Sequence, residues 1–285
     1  MINLNKKVLD NFSKNKNFDR KEYIKTRDYL KNNCVHSVCV EANCPNRYDC
    51  FSKKTVTFMI LGNLCTRNCS YCDVKHGTPK KEKEDFNSII KVIKKLALEY
   101  VVITSVTRDD LEDGGASEFE RLVSLIRENF SDKIKIELLI PDFQGSMESL
   151  KKVCKNIEVL NHNLETVETI FQKVRPGADY AKSLELLNNV KKINPKMYTK
   201  SGIMLGLGET LKEVKKTLED LRKVDCDFLS IGQYIPPSKE HYPLMKKYSE
   251  NEFAEIKKIA LEIGFKHVES GTYVRSSYNA KNYLF

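Results

Sequence analysis

Six short runs rich in Val, Ile and Thr recur along this chain, separated by amphipathic helical patterns, and no other feature restricts its fold as much. The runs are Thr55–Leu61, Tyr100–Val106, Lys133–Ile140, Asn156–Asn161, Tyr198–Leu205 and Asp227–Tyr234. Each suits a strand covered on both faces. Between them, apolar residues recur at helical spacing: Ile89, Ile93 and Leu96; Phe119, Leu122, Val123 and Ile126; Leu184, Leu187 and Ile193; Leu211, Val214, Leu218 and Leu221; Phe253, Ile256 and Ile263. Such stripes face a core by default. Serial β-then-α units demand a parallel sheet with right-handed crossovers. A chain of 285 residues is short for eight units plus an extension. The expected fold is therefore α/β, a partial (β/α)6 TIM-like barrel, with a doubly wound open sheet as the alternative. The expected segments are an N-terminal Cys-rich extension over 1–52, the barrel over 53–265 and a C-terminal extension over 266–285. Lys80–Asp85 reads as a charged surface loop.

The segment Met1–Tyr23 is rich in Lys and Asn and holds no apolar run of signal-peptide length. Nowhere do the ~18 apolar residues of a membrane span occur. The expectation is a cytoplasmic protein without a membrane partner. The formal net charge is +9. That charge is either a basic face for an acidic partner or Lys spread over solvated helices, and the scatter of the Lys residues favours the second. No basic stripe interleaved with aromatics suggests a nucleic-acid partner.

Nine cysteines are many for a chain without an export signal, and seven of them fall between Cys34 and Cys72. Metal binding or catalysis is the default for such crowding, rather than disulfides. Cys65, Cys69 and Cys72 have C-x3-C-x2-C spacing directly after the first strand, where α/β barrels place active sites. Three thiolates on one tight loop can hold three irons of a [4Fe–4S] cube and leave the fourth iron open. A zinc site completed by His76 is the competing reading. Upstream, Cys39, Cys44 and Cys50 form a second triad, C-x4-C-x5-C, which suggests a second cluster, again one ligand short. A zinc knuckle is its alternative. Cys154 and Cys226 read as core residues. Cys34 lies beside the second motif without a clear place in it.

The first motif resembles that of the radical S-adenosylmethionine superfamily, and the pair in this order resembles the lipoyl synthase family. Further blocks carry the likeness: Glu41–Asn46, Phe58–Gly62, Thr104–Leu111 with Asp113–Ala116, Asn161–Thr166, Val174–Tyr180, Lys200–Glu209, Ile231–Tyr234 and Val274–Tyr278. It spans about residues 35 to 280. The resemblance implies two [4Fe–4S] clusters and S-adenosyl-L-methionine as cofactors. It implies that the cluster on Cys65, Cys69 and Cys72 generates a 5′-deoxyadenosyl radical, with Tyr71 packed near the adenine. Two such radicals would take hydrogen from C6 and C8 of an octanoyl chain on a carrier-protein lysine, with sulfur drawn from the second cluster. It also implies Ser277 as that cluster's fourth ligand, Ser276 being the alternative, and an oxygen ligand is the weaker partner for an iron that must later leave. The family usually has His where this chain has Asn279.

Polar residues at strand ends, Thr104, Ser105, Arg108, Asn161, Asn163, Lys200 and Arg175, are candidates for cofactor contacts, each with an equal structural reading. Implied partners are octanoylated lipoyl carriers (the H protein of glycine cleavage and E2 subunits of 2-oxoacid dehydrogenases), a ferredoxin- or flavodoxin-type electron donor and an iron–sulfur cluster carrier. Two rivals remain among radical enzymes. A methylthiotransferase usually appends an RNA-binding module, and a biotin-synthase-like enzyme would lack the triad at Cys39–Cys50. A zinc-stabilised binding module is the rival from another class.

Overall fold

The structure, a computed structural model, describes residues 19–80 and 84–284. Most of the Lys- and Asn-rich N-terminal segment and part of the Lys80–Asp85 run lie outside the described residues. Seven parallel strands pair strictly in chain order: β1 (Thr57–Ile60), β2 (Tyr100–Ser105), β3 (Lys135–Leu139), β4 (Val159–Asn161), β5 (Tyr198–Leu205), β6 (Phe228–Gln233) and β7 (His267–Gly271). Each successive pair is in parallel register, as Phe58 with Ile103 and Ser201 with Leu229. Chain-order pairing excludes the doubly wound alternative, whose strand order reverses at a switch point. The first six strands fall inside the six apolar runs. The seventh comes from the segment expected to be a C-terminal extension. Its His267-Val268-Glu269-Ser270-Gly271 carries too few apolar residues to read as a buried strand, because its inner side faces a polar barrel interior.

Among the described residues three helices precede the sheet: α1 (Arg20–Asn32), α2 (Val38–Glu41) and α3 (Arg47–Ser52). Crossover helices follow: α4 (Asn87–Leu96), α5 (Ala116–Phe130), α6 (Met147–Val153), α7 (Phe171–Val174), α8 (Tyr180–Ile193), α9 (Leu211–Lys223) and α10 (Glu250–Ile263). Local chemistry sets several starts. Thr210 with Glu213 and Ser249 with Glu252 form reciprocal capping boxes for α9 and α10. The outer layer is the apolar core: Ile93, Phe119, Leu122, Leu187, Val214, Leu221 and Ile256 bury against outward-facing strand residues such as Ile103, Ile136, Leu160 and Leu229. Leu211 is the exception among the expected stripe residues and is more than half exposed, because it opens the first turn of α9.

The inward faces are polar. Lys200 and Gly202 alternate along β5, and Tyr100, Glu137, Asn161 and Ser230 point at the same interior. A Cβ on Gly202 would stand 2.6 Å from Ser230 Oγ and 2.9 Å from Asn163 Oδ1, so the interior closes tightly there. After β7 the chain turns back into the barrel interior, and its final 3-10 turn, Ala280–Tyr283, packs Tyr283 against Val159 and Phe228 near the strand starts. Among the described residues no helix is long and apolar enough to cross a membrane.

Candidate active site

The loop bearing Cys65, Cys69 and Cys72 leaves the C-terminal end of β1 and is tied down on both sides. Cys65 N–H donates to Lys75 carbonyl at 2.8 Å and Gly77 N–H to Cys65 carbonyl at 2.9 Å, closing the loop at its base. Thr66 bonds to the Thr107 carbonyl through both backbone and hydroxyl, each at 3.0 Å. On the other flank Ser70 N–H donates to Val174 carbonyl at 3.1 Å, and Tyr242 N–H to Ser70 carbonyl at 2.8 Å. His241 Nε2 stands 3.2 Å from the Cys72 carbonyl. Arg67 N–H donates to Cys65 Sγ at 3.4 Å.

Arg67 itself is a fork between two loops. Its guanidinium meets Asp109 at 2.7 and 2.9 Å and Asp142 at 2.6 and 2.7 Å. Burial opposes the charge of Arg67, but the hydrogen bonds to Asp142 and Asp109 outweigh it and raise its pKa. Burial likewise works against Asp142, and the Arg67 bonds overcome it to hold the carboxyl below its usual range.

Around these cysteines the barrel mouth gathers Tyr71, Asn163, Glu165 and Arg175. Tyr71 packs on the cluster of Val174, Leu207 and Tyr234, and its hydroxyl bonds to Glu165. Glu165 also accepts from Asn163 Nδ2 at 2.9 Å. Burial pushes the Glu165 carboxyl up, with Arg175, Asn163, Tyr71 and Arg275 pulling the other way. Arg175 Nη1 donates to the Asn163 carbonyl at 2.7 Å, and its charge lies close enough to Cys69 to favour the thiolate. Burial pushes the Cys69 thiol up and the Cys72 thiol to about 12. Such thiols surrender their protons on meeting a metal, so binding and deprotonation are one event. Several buried polar atoms here have no partner among the described residues: Arg175 Nε, Asn163 Oδ1 and Ser105 Oγ. Orphaned donors and acceptors at a strand-end mouth suit a polar ligand.

The second triad lies on α2 and α3 and the turn between them. Burial, then the proximity of Cys39, raises the Cys44 thiol to about 11, and burial with Cys39 and Cys44 raises the Cys50 thiol well above its usual range. The three are thus mutual neighbours. They border the C-terminal tail: Asn46 donates to the Tyr273 carbonyl, Arg275 is near Cys44, and Tyr278 is near Cys50. Arg275 lies within electrostatic reach of both Cys44 and Glu165, which links the two cysteine groups. Thr57 Oγ1 donates to Ser277 Oγ at 2.7 Å, whereas Ser276 bonds to Asn163 inside the barrel. Thr57 adjoins Phe58, which bridges to Ser37 beside Cys39, so Ser277 stands on the side of the second triad. Among the described residues no three His, Cys, Asp or Glu side chains converge in the geometry of a single ion. A four-iron cube instead takes its thiolates at separate corners.

Other candidates are occupied elsewhere. Thr104 Oγ1 donates to the Leu139 carbonyl at 2.9 Å. Arg108 forks onto Asp110 at 2.8 Å twice and reaches the Leu61 carbonyl. Lys200 and Asn161 both bond Glu137 within the barrel, at the third residue of their strands and well below the cysteine loop. His76 is exposed and Cys34 is exposed, while Cys154 and Cys226 are buried. Sequence reasoning passed over Arg67, Glu165 and Arg275. The signal for Arg67 was present in principle: an Arg between cluster-type cysteines, with Asp109 and Asp142 just after the second and third strands.

A profile of the Radical SAM superfamily matches residues 59–221. Lipoyl synthase of Caldicellulosiruptor saccharolyticus is 52% identical over 254 residues, covering 88% of this chain and 89% of that protein. Lipoyl synthase of Aquifex aeolicus is 51% identical, covering 88% and 91%. The chain belongs to the lipoyl synthase family. It is an enzyme of the radical SAM superfamily, whose members hold a [4Fe–4S] cluster and S-adenosylmethionine. The fold agrees with solved radical SAM structures of low identity. A radical SAM methyltransferase from Sphaerobacter thermophilus superimposes with a TM-score of 0.58 at 10% identity, covering 78% of this chain and 70% of that one. A maturase of the [FeFe]-hydrogenase gives 0.57 at 14%, covering 98% and 77%.

Proposed function

We propose that this enzyme inserts two sulfur atoms at C6 and C8 of a protein-bound octanoyl-lysine, giving lipoyl-lysine. The observation that carries the reading is that Arg275 lies within electrostatic reach both of Cys44, in the second triad, and of Glu165, beside the first. In this reading Cys65, Cys69 and Cys72 hold the cluster that, with S-adenosylmethionine, supplies a radical able to take hydrogen from unactivated carbon. Cys39, Cys44, Cys50 and Ser277 hold a second cluster as the sulfur source.

The chain's own residues do the positioning. Arg67 fixes the cysteine loop against the loops after β2 and β3. Tyr71, Asn163, Glu165 and Arg175 line the place where a nucleoside with a charged amino-acid end would lie, offering an aromatic face, an amide, a carboxylate and a guanidinium. The packed Tyr71, Leu207 and Tyr234 keep that pocket dry, which protects a reactive carbon centre from side reactions. Ser105, whose Oγ has no partner among the described residues, is held at the end of β2 as a further polar contact. Asn161 and Lys200 serve the barrel floor in this reading. The substrate would arrive on an octanoylated carrier such as the H protein or an E2 subunit. A ferredoxin- or flavodoxin-type donor would supply electrons, and a cluster carrier would restore the consumed site in the cytoplasm.

The test is an anaerobic assay with an octanoyl-lysine peptide, S-adenosylmethionine and reductant. Both 5′-deoxyadenosine and a dithiolane product are expected. Deoxyadenosine without any sulfur-bearing product from the fully loaded enzyme would refute the assignment.

A further inference from the structure

The floor of the barrel holds a buried charge that the cofactor reading does not use. Lys200 and Glu137 are both fully buried, with Lys200 Nζ 3.1 and 3.3 Å from the two carboxylate oxygens. Tyr100 donates to the same carboxylate at 2.7 Å and Asn161 at 2.8 Å. A buried ion pair gains little over apolar packing of the same volume, so stability alone is a weak reason to keep one. One contact of this pair leads out of the sheet. The ring of Tyr283 lies over the Lys200 ammonium, 3.9 Å from Nζ to the ring centroid. Tyr283 also rests on Phe228 and His267, at 5.2 and 4.6 Å between rings, and its hydroxyl donates to the Leu229 carbonyl at 3.2 Å.

The tail that ends in Tyr283 is held at its upper end as well. The Val274 carbonyl occupies the space that any side chain at Gly232 would need, and Asn46 donates to the Tyr273 carbonyl. Ser276 and Ser277 are strung between these two fixings, bonded to Asn163 and Thr57. A thiolate would capture iron even from a loosely held segment. A serine oxygen is a harder and weaker iron ligand, so its occupancy depends on being delivered in place.

We propose that Lys200 and Tyr283 are positioning residues: their cation–π contact pins the foot of the C-terminal tail in the barrel floor and so holds the Ser277 hydroxyl at the second cysteine triad. Glu137 keeps the Lys200 charge tolerable in a buried place while leaving one face of the ammonium for the ring. The inference rests on the reading of Ser277 as a ligand of a second cluster.

The experiment compares Tyr283→Leu and Tyr283→Phe in the full-length, anaerobically reconstituted enzyme. Hydrogen exchange over residues 273–281 and the Mössbauer signature of the second cluster's oxygen-ligated iron are read together with deoxyadenosine formation. Tyr283→Leu should speed exchange of the tail about thirtyfold, the factor expected for one desolvated cation–π contact. It should also abolish the oxygen-ligated iron signature and leave S-adenosylmethionine cleavage intact. Tyr283→Phe keeps the ring and should restore both. If Tyr283→Leu does not fold, the double variant Lys200→Met/Glu137→Gln, which keeps the tail sequence, should give the same loosened tail and altered signature. Unchanged exchange and an unchanged signature in a folded Tyr283→Leu would overturn the pin. A Ser277→Ala enzyme separates the two ideas: if its Mössbauer spectrum equals wild type, the ligand reading fails, and the exchange data alone decide the pin.

Discussion

Arg67→Met should be strongly damaging, to stability and to turnover alike. Arg67 and Asp142 are nearly buried, and the guanidinium makes two bonds to Asp142 at 2.6 and 2.7 Å. Removing one partner of a buried pair costs ~3–5 kcal/mol, because the other charge is left stranded. Asp142 keeps about a tenth of its side chain accessible, which places the loss near the lower end, about 3 kcal/mol. The Asp109 arm is a third exposed and adds only ~0.5 kcal/mol. Lysine keeps the charge but cannot fork onto two carboxylates, so Arg67→Lys should lose roughly 1 kcal/mol. The loop would also shift, and a displacement of ~1 Å at a reacting centre costs on the order of a hundredfold in rate. Urea unfolding of the metal-free protein gives the first quantity, and deoxyadenosine formation by the reconstituted enzyme gives the second. Adding Asp142→Asn to Arg67→Met should recover most of the stability, since no buried charge then lacks a partner. If Arg67→Met unfolds at the wild-type midpoint and cleaves S-adenosylmethionine at the wild-type rate, the fork does not hold the loop.

Replacing Cys39, Cys44 and Cys50 together by Ala should lower the iron content from about eight to about four per chain and remove lipoyl product while deoxyadenosine persists; unchanged iron would show that the triad binds none. Gly206→Ala should cost ~1–3 kcal/mol and slow turnover, because Gly206 has φ of +105° and a Cβ there would strike Gln233 and the Lys246 carbonyl; thermal unfolding at wild-type temperature would contradict this. Burial lowers the pKa of His162 to about 4, below the ordinary histidine value of about 6.5. The unfolded chain therefore binds the extra proton first. The contribution is complete above about pH 6.5 and fades as pH falls toward 4, by roughly 3 kcal/mol in all. A His162→Gln protein with the same acid limb in its stability curve would show that another group is responsible.

The fold was legible because its strands are buried on both faces and its helices on one, so apolar runs and stripes reported them directly. β7 escaped because its inner residues, His267 and Glu269, meet a polar interior. A hydrophobic pattern cannot see such a strand. The cysteine motifs announced themselves by spacing alone. Their surroundings did not: Arg67 is recognisable only once the loops carrying Asp109 and Asp142 are brought together, and Arg275 only once the tail folds back onto α2 and α3. Lys200 shows the converse. A Lys in a strand of a barrel enzyme suggests a ligand contact, yet the register sets it level with Asn161 and beside Glu137, where its charge is already answered. The two adjacent serines were indistinguishable in sequence, and they part in three dimensions because they are the two central residues of a turn closed by the Tyr278 N–H on the Arg275 carbonyl at 2.9 Å, which sends one hydroxyl to Asn163 and the other to Thr57.

The central proposal is that the chain's own second cluster supplies the inserted sulfur. It is tested most directly by reconstituting the enzyme with isotopically labelled sulfide and running a single turnover on an unlabelled octanoyl-lysine peptide. Mass spectrometry should find both sulfur atoms of the lipoyl product labelled in the wild type, and no lipoyl product from the Cys39/Cys44/Cys50→Ala enzyme. A lipoyl product carrying only unlabelled sulfur, or one made by the triple variant, would contradict it.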